Sequence, residues 1–166
     1  WAPSWEQLWQ PGERGAVRKL KAFMRGAIAQ YDKGRNYPAR GATSGLSPHL
    51  HFGEVAPHRI FRAVREAEFA NPELDNEAEK FLSELGWREF SHHLLFHFPT
   101  KPTNAFKSDF AAFPWVGSVE ALTAWQQGKT GYPIVDAGMR ELWQTGYMHN
   151  RVRMVAASFL CKHLLV

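Results

Sequence analysis

The chain has 166 residues, which is enough for one domain with a hydrophobic core or for part of a larger one. Lys and Arg number 20 against 16 Asp and Glu, and the resulting net charge of +4 is compatible with a polyanionic partner but also with many ordinary enzymes. No apolar run reaches the length of a membrane span, no signal peptide opens the chain, and the single cysteine, Cys161, excludes an internal disulfide. We therefore expect an intracellular protein of a reducing compartment, with no membrane association.

The hydrophobic pattern predicts helices and connecting loops only. Apolar residues recur with a period near 3.6, and no segment shows the two-residue alternation of a half-buried strand. Pro11 is placed as the first residue of the first helix, and Ile60, Phe61 and Val64 are expected to face inward on the second. The predicted helices cover residues 11–28 (fading near 32–34), 57–70, 75–98, 118–127, 133–145 and 149 to the end, with loops at 34–48 and 101–117. The predicted fold class is therefore all-α.

Both ends of the chain look cut, because it starts on Trp1 without a methionine and stops at Val166 inside an apolar helical pattern. We expect an excerpt of a longer protein.

Residues 43–47 read Thr-Ser-Gly-Leu-Ser and admit two interpretations. They could form a surface turn between helices. They could also form a cradle for phosphate oxygens, because a glycine lets the backbone approach a ligand closely and three hydroxyls can surround a diphosphate without a lysine. Composition alone leaves both interpretations open.

The longest predicted helix places Glu84, Trp87, Arg88 and Ser91 on one continuous face. One interpretation is a Glu84–Arg88 surface pair beside a half-buried tryptophan. The other is a pocket wall on which the indole stacks on a nucleobase and the charged groups meet polar or phosphate groups.

The last predicted helix repeats this combination. Asn150, Arg153 and Met154 share a face, while Val152 and Phe159 point elsewhere. The amide suits the edge of a flat heterocycle, and the thioether gives a soft apolar contact. The alternative is a basic helix start with a buried methionine.

Two apparent motifs are rejected. The Gly-Lys-Thr at residues 128–130 lacks the earlier glycine of a phosphate-binding Walker loop and follows a helical pattern rather than a strand. The pairs His93/His97 and His49/His51 lack the accompanying ligands of a metal site, so we interpret them as helix-surface or partner-facing histidines and predict no metal.

Several separate stretches, taken in order and at their spacing, resemble the flavin-binding helical domain of the DNA photolyase/cryptochrome family. They are WQPGE at 9–13, Tyr31 with Arg35, TSGLS at 43–47, PHLHFGE at 48–54, ELGWREF at 84–90, GKTGYPIVDA at 128–137 and MHNRVRM at 148–154.

The resemblance implies FAD, held in a folded shape by this domain. The positions that match cofactor contacts in the family are Tyr31, Thr43, Ser44, Gly45 (a variable position), Leu46, Ser47, Phe81, Arg88, Asn150 and Arg153. The resemblance also implies UV-damaged DNA as the partner, with a pyrimidine dimer flipped out of the helix. The positions that match the dimer-binding cavity are Arg35, Glu84, Trp87, Arg88, Asn150, Arg151 and Met154.

The implied activity is that of a deoxyribodipyrimidine photo-lyase, in which light-excited reduced flavin splits a cyclobutane dimer by transferring one electron. Glu84 and Asn150 match catalytic positions, and Trp115, ten residues before Trp125, matches the outermost tryptophan of the chain that photoreduces the flavin. Asn150 and Met154 favour the cyclobutane branch, because the branch acting on (6-4) photoproducts is expected to carry histidines there. Tyr147 departs from the tryptophan usual before MHN.

Two other functions stay open: a cryptochrome-type photosensor that binds FAD without repair, and a helical nucleic-acid-binding module without flavin. The resemblance further implies a monomeric parent in the bacterial cytosol or a eukaryotic nucleus. An N-terminal α/β domain with an antenna chromophore of folate or deazaflavin type, and the rest of the FAD domain, are expected outside residues 1–166.

Overall fold

The computed structural model describes residues 5–100 and 103–166, and within them every regular element is helical. The prediction of an all-α fold is confirmed. The α-helices of the described residues are α1 (Trp5–Leu8), α2 (Glu13–Arg25), α3 (Tyr31–Gly34), α4 (Ser47–His51), α5 (Pro57–Ala70), α6 (Asp75–His97), α7 (Val119–Gln126), α8 (Pro133–Thr145) and α9 (Asn150–Ser158). Short 3₁₀ turns span Ala27–Gln30, Pro72–Leu74 and Ser108–Ala112, and a π-helical turn, Phe159–Leu164, continues α9. None of the helices in these residues is long and apolar enough to cross a membrane.

Residues 9–103 form one compact unit with its own core. Helix α6 is its central element and packs against α3 and α5, while α2 packs against α4 and α5. The buried apolar residues of this core come from α2, α3, α5 and α6 and from the segments between the helices. They are Ala16, Leu20, Phe23, Ile28, Tyr31, Leu46, Val55, Ile60, Val64, Ala78, Phe81 and Leu82.

Residues 104–166, together with 5–8 at the start of the chain, form the second unit. Its core consists of Val135, Met139, Met148, Val152, Ala156 and Phe159. Helices α8 and α9 approach closely because residue 138 is glycine: a Cβ there would lie 2.3 Å from Cγ1 of Val152. Helix α1 packs on α8, where the Trp5 indole N–H donates to the carbonyl of Gln144 at 3.1 Å.

Helices α5 and α8 have the predicted bounds, and Ser118 caps α7 as predicted, its hydroxyl accepting the N–H of Ala121 at 3.1 Å. Two details differ. Pro11 lies before the first long helix, because Gly12 has a φ of 87° and the helix starts only at Glu13. Phe61 is 48% exposed rather than inward, since the buried face of α5 is centred on Ile60 and Val64.

Candidate functional site

The loop at residues 43–47 is an ordered structure fixed by two backbone features. Gly45 has a φ of +62°, a left-handed conformation that residues with a Cβ rarely adopt. Leu46, which follows in a helical conformation, is buried in the core of the unit. Its N–H donates to the Ser44 hydroxyl at 3.4 Å. The loop therefore has a fixed shape, which a binding surface requires and a mere connection does not.

Three backbone amides of this loop are available as hydrogen-bond donors among the residues that the structure describes. Within residues 5–100 and 103–166, no hydrogen bond takes up the amide N–H of Ser44, Gly45 or Ser47. The amides of Ser44 and Gly45 are adjacent, and a left-handed residue beside such N–H groups is typical of concave backbone sites that bind anions. Of the two interpretations of the sequence, this arrangement favours the phosphate cradle.

Lys19 of α2 lies beside this loop and was missed by the sequence interpretation, which assumed a cradle without a lysine. Its ammonium is 4.3 Å from the Trp9 ring centroid, and a Cβ on Gly45 would lie 3.2 Å from its Nζ. Burial, with a smaller contribution from Arg18, lowers the pKa of Lys19. No sequence signal connects Lys19 to the loop, because their proximity is created by tertiary packing.

The PHLHFGE motif that follows the loop ties α4 to the start of α2. His49 is buried, and its Nδ1 is 2.5 Å from Oε2 of Glu54. The other carboxylate oxygen of Glu54 accepts the N–H of Gly12 at 2.7 Å. The Gly12 hydrogen bond, followed by that of His49, lowers the pKa of Glu54. These contacts explain His49 as a structural residue, and none of the described residues forms a group that could hold a metal.

An aromatic cluster lies in the hydrophobic core of the first unit. The Tyr31 and Phe81 ring centroids are 5.1 Å apart, and Phe23 lies 5.6 Å from Tyr31 and 4.6 Å from Phe81. The structure thus brings together Tyr31 and Phe81, two of the positions implied for flavin contact. Both side chains are buried.

Arg35 and Glu84, two positions implied for DNA binding, form an ion pair with a distance of 2.5 Å between Nη1 and Oε1. Arg35 is only 9% exposed and its guanidinium lies 5.4 Å from the Tyr31 ring centroid. Although burial alone would lower it, the pKa of Arg35 is raised, because Glu84, Tyr31 and Asp32 stabilise the charged form. The ion pair with Arg35 fixes the position of the Glu84 carboxylate on α6.

The predicted stripe on α6 is accessible, but its charges pair differently from the surface-pair interpretation. Because Glu84 is bound by Arg35, Arg88 instead pairs with Glu89 and donates to the carbonyl of Leu50 at 3.4 Å. Trp87 is 63% exposed, so the interpretation of a half-buried tryptophan is wrong. The exposed indole lies 5.9 Å, centroid to centroid, from the Phe90 ring, on the same helix as the ion-paired Glu84 and Arg88.

In the second unit, α9 presents its polar residues to the surface. Asn150 and Arg153 are exposed, and Met154 is 55% exposed, so the interpretation of a buried methionine is wrong. The buried side of α9 is formed by other residues, Val152 and Ala156 among them. A guanidinium N–H of Arg151 lies 3.8 Å from the Met154 sulfur. The four polar and sulfur-bearing side chains therefore lie at one accessible helix start.

Trp115 and Trp125 differ in environment. Trp115 is 51% exposed and lies 4.7 Å, centroid to centroid, from the Phe113 ring. Trp125 packs against the second core, and its indole N–H donates to the carbonyl of Ala156 at 2.9 Å. A surface position is what an outermost electron-transfer tryptophan requires.

The rejection of a Walker loop at residues 128–130 agrees with the hydrogen bonds there. The Asp136 carboxylate accepts the Thr130 hydroxyl at 2.6 Å and the N–H groups of Thr130 and Gly131 at 2.8 and 3.0 Å. These bonds, the hydroxyl first, lower the pKa of Asp136. The amides that a phosphate would need are already bound to a carboxylate.

Comparison with known proteins identifies the fold. A family described as the FAD binding domain of DNA photolyase matches residues 81–166, slightly more than half of the chain. The chain belongs to this family. Over 166 residues it is 49% identical to the deoxyribodipyrimidine photo-lyase of Agrobacterium fabrum, covering 100% of this chain and 34% of that protein. It is also 40% identical over 165 residues to cryptochrome-2 of Arabidopsis thaliana, covering 96% of this chain and 27% of that protein.

Solved structures give the same result. A bacterial class III photolyase from Agrobacterium tumefaciens superposes with a TM-score of 0.96 at 49% identity, over 100% of this chain and 34% of that one. An archaeal photolyase from Sulfolobus tokodaii, described with two FAD molecules, gives 0.72 at 35% identity, over 93% of this chain and 32% of that one. The chain thus spans about a third of the length of these relatives.

The residues present fit the cofactor of this family. The loop at 43–47 combines amide donors and hydroxyls with a left-handed turn at Gly45, and the Lys19 ammonium lies beside it. Such a set of donors and positive charge suits a diphosphate, which carries only acceptor oxygens.

Proposed function

We propose that the complete gene product containing this chain is a light-driven deoxyribodipyrimidine photo-lyase that uses FAD to repair cyclobutane pyrimidine dimers in DNA. The observation that carries the proposal is the donor loop at residues 43–47 in a chain 49% identical to a photo-lyase over its whole length. A nucleic-acid-binding module without flavin has no need of a preformed diphosphate cradle in addition to a DNA-binding surface.

In this proposal the first unit holds one end of the cofactor. The amides and hydroxyls of residues 43–47 bind the diphosphate, Tyr31 and Phe81 support the aromatic wall, and Arg88 supplies a polar contact. The resemblance to the family assigns further polar contacts to Asn150 and Arg153, which belong to the second unit. The chemistry that reduced FAD supplies when bound and excited by light is a one-electron transfer to the dimer, with return of the electron after the ring has split.

The remaining site residues hold the lesion. Trp87 stacks on the apolar face of the dimer and excludes water, which an exposed indole beside anchored charges can do. Glu84, fixed by Arg35, accepts a hydrogen bond from a pyrimidine N–H, and Arg151 contacts flanking phosphate. Asn150 and Met154 contact the bases, while Trp115 takes part in flavin reduction from the surface. Two ring C–C bonds break and the pyrimidines are restored without net oxidation or reduction.

The test is made on the complete gene product purified in the dark. We expect a bound flavin spectrum and loss of thymine dimers from irradiated oligonucleotides under blue light, with none in the dark. Flavin binding without light-dependent dimer loss would overturn the repair function.

A cryptochrome-type photosensor is the second candidate, favoured by the 40% identity to a plant cryptochrome. It predicts the same flavin spectrum with no repair. The dimer assay therefore separates the two functions, while absence of flavin would contradict both.

A further inference from the structure

Lys19 is a half-buried cation whose surroundings do not compensate its charge. Within residues 5–100 and 103–166 it forms no ion pair and no hydrogen bond, and its only polar contact is with the Trp9 ring face at 4.3 Å. Arg18 adds a second positive charge nearby, and burial lowers the pKa of Lys19. An ammonium held in this way gains most from an anion placed next to it.

The position of the ammonium is set by the glycine of the loop. A Cβ on Gly45 would lie 3.2 Å from Nζ and 3.7 Å from Cδ of Lys19, so the lysine stem passes directly over the backbone of this residue. A larger residue at position 45 would compete with the lysine for this space. Because residue 45 has no side chain, Lys19 of α2 can place its ammonium beside a loop that has no charged residue of its own.

The chemistry of the loop indicates which anion fits. Among the described residues, the amides of Ser44, Gly45 and Ser47 have no acceptor and carry no formal charge, whereas a diphosphate carries about two negative charges. One ammonium beside neutral donors neutralises part of the charge of the diphosphate. The cation–π contact with the Trp9 ring holds the ammonium of Lys19 in this position.

We propose that Lys19 is a cofactor-binding residue that contacts the diphosphate of FAD and supplies a full positive charge at the 43–47 loop. This inference rests on the proposed function, because it takes FAD as the ligand. It adds a residue of α2 to a site otherwise built from the loop and from Tyr31, Phe81 and Arg88.

The experiment measures FAD binding to the complete gene product stripped of flavin, by fluorescence titration at low and high salt. Lys19→Met removes the charge but keeps a stem against Trp9, and Lys19→Arg keeps the charge. The matched control is Lys21→Met, an exposed lysine on the same helix. Circular dichroism of each flavin-free variant shows whether it is folded, and the Kd for dimer-containing DNA is measured alongside.

We expect Lys19→Met to raise the Kd for FAD by about 10-fold at low salt and less at high salt, the size of a charge-assisted hydrogen bond. Lys19→Arg should stay within about threefold of the unmodified protein and Lys21→Met within about twofold, since a cation is kept at the loop in both. Equal FAD affinity of folded Lys19→Met and Lys21→Met would overturn the inference, as would a loss of DNA affinity without loss of FAD. Failure of the unmodified protein to bind FAD would instead overturn the proposed function itself.

Discussion

At the residue scale, Trp87 is the most direct test of the lesion-binding surface. Its ring is 63% exposed, so little core packing depends on it. We expect Trp87→Ala to raise the Kd for dimer-containing DNA by about 10-fold or more, because stacking of a base on an aromatic side chain contributes about 1–3 kcal/mol. Flavin content should be unchanged.

The matched control for this substitution is Trp143→Ala, which removes an equally exposed indole from α8. It should leave DNA affinity unchanged. If Trp87→Ala released the flavin as well, the indole would be part of the cofactor pocket and its assignment to the lesion would be wrong.

Glu54 gives the chain a defined acid sensitivity. Its folded pKa lies below the ordinary value of about 4.3, so its hydrogen bonds contribute stability that is present above that pH and lost as the pH falls towards the folded pKa. We expect the thermal unfolding midpoint to fall between about pH 5 and about pH 3, and Glu54→Gln to reduce that dependence. Glu66→Gln, an equal charge change at an exposed site, should leave the dependence as it is.

At the scale of helices, two glycines in helix interiors predict opposite effects of the same substitution. Gly138 lies where α8 meets α9, and a Cβ there would overlap Val152 at 2.3 Å. Gly86 lies inside α6 with nothing within 4 Å of a Cβ. We expect Gly138→Ala to lower the free energy of unfolding by about 2 kcal/mol through overpacking. Gly86→Ala should raise it by about 0.5–1 kcal/mol through helix propensity.

Chemical denaturation of both variants measures this difference. A stable Gly138→Ala protein would mean that α8 and α9 can separate without loss of core contacts, contrary to the close packing described above.

The helices themselves were largely predictable because their signals are local. A proline marks the start of α5 and of α8, and a serine caps α7. These signals, like the apolar period of α6, involve only residues that are close together in the sequence. What the sequence could not predict depends on distant residues: the pairing of Arg35 with Glu84, 49 positions apart, and the approach of Lys19 to Gly45. Local spacing suggested Glu84–Arg88 instead, and tertiary packing supplied a better partner for Glu84.

At the scale of the whole molecule, the chain has two cores. The sequence passes from the first unit to the second in a segment whose described residues are exposed. Every described residue from 95 to 117 is exposed, and the described part of the connection after α6, residues 98–100 and 103–117, has the 3₁₀ turn Ser108–Ala112 as its one regular element. We expect limited thermolysin digestion to cut first within residues 103–117, beside Phe106 or Phe110, and mass spectrometry to identify the fragments. A first cut in the loop at 35–46 would contradict this, because Arg35 and the buried Leu46 anchor that loop.

The second unit is discontinuous in sequence, and this has a consequence for synthesis on the ribosome. Residues 9–103 emerge as an uninterrupted unit and can collapse around their own core before the rest is translated. The indole N–H of Trp5, in contrast, donates to the carbonyl of Gln144, which is synthesised 139 residues later. During that interval α1 has no site on α8 to dock against, so the Trp5–Gln144 hydrogen bond of the finished protein cannot yet form.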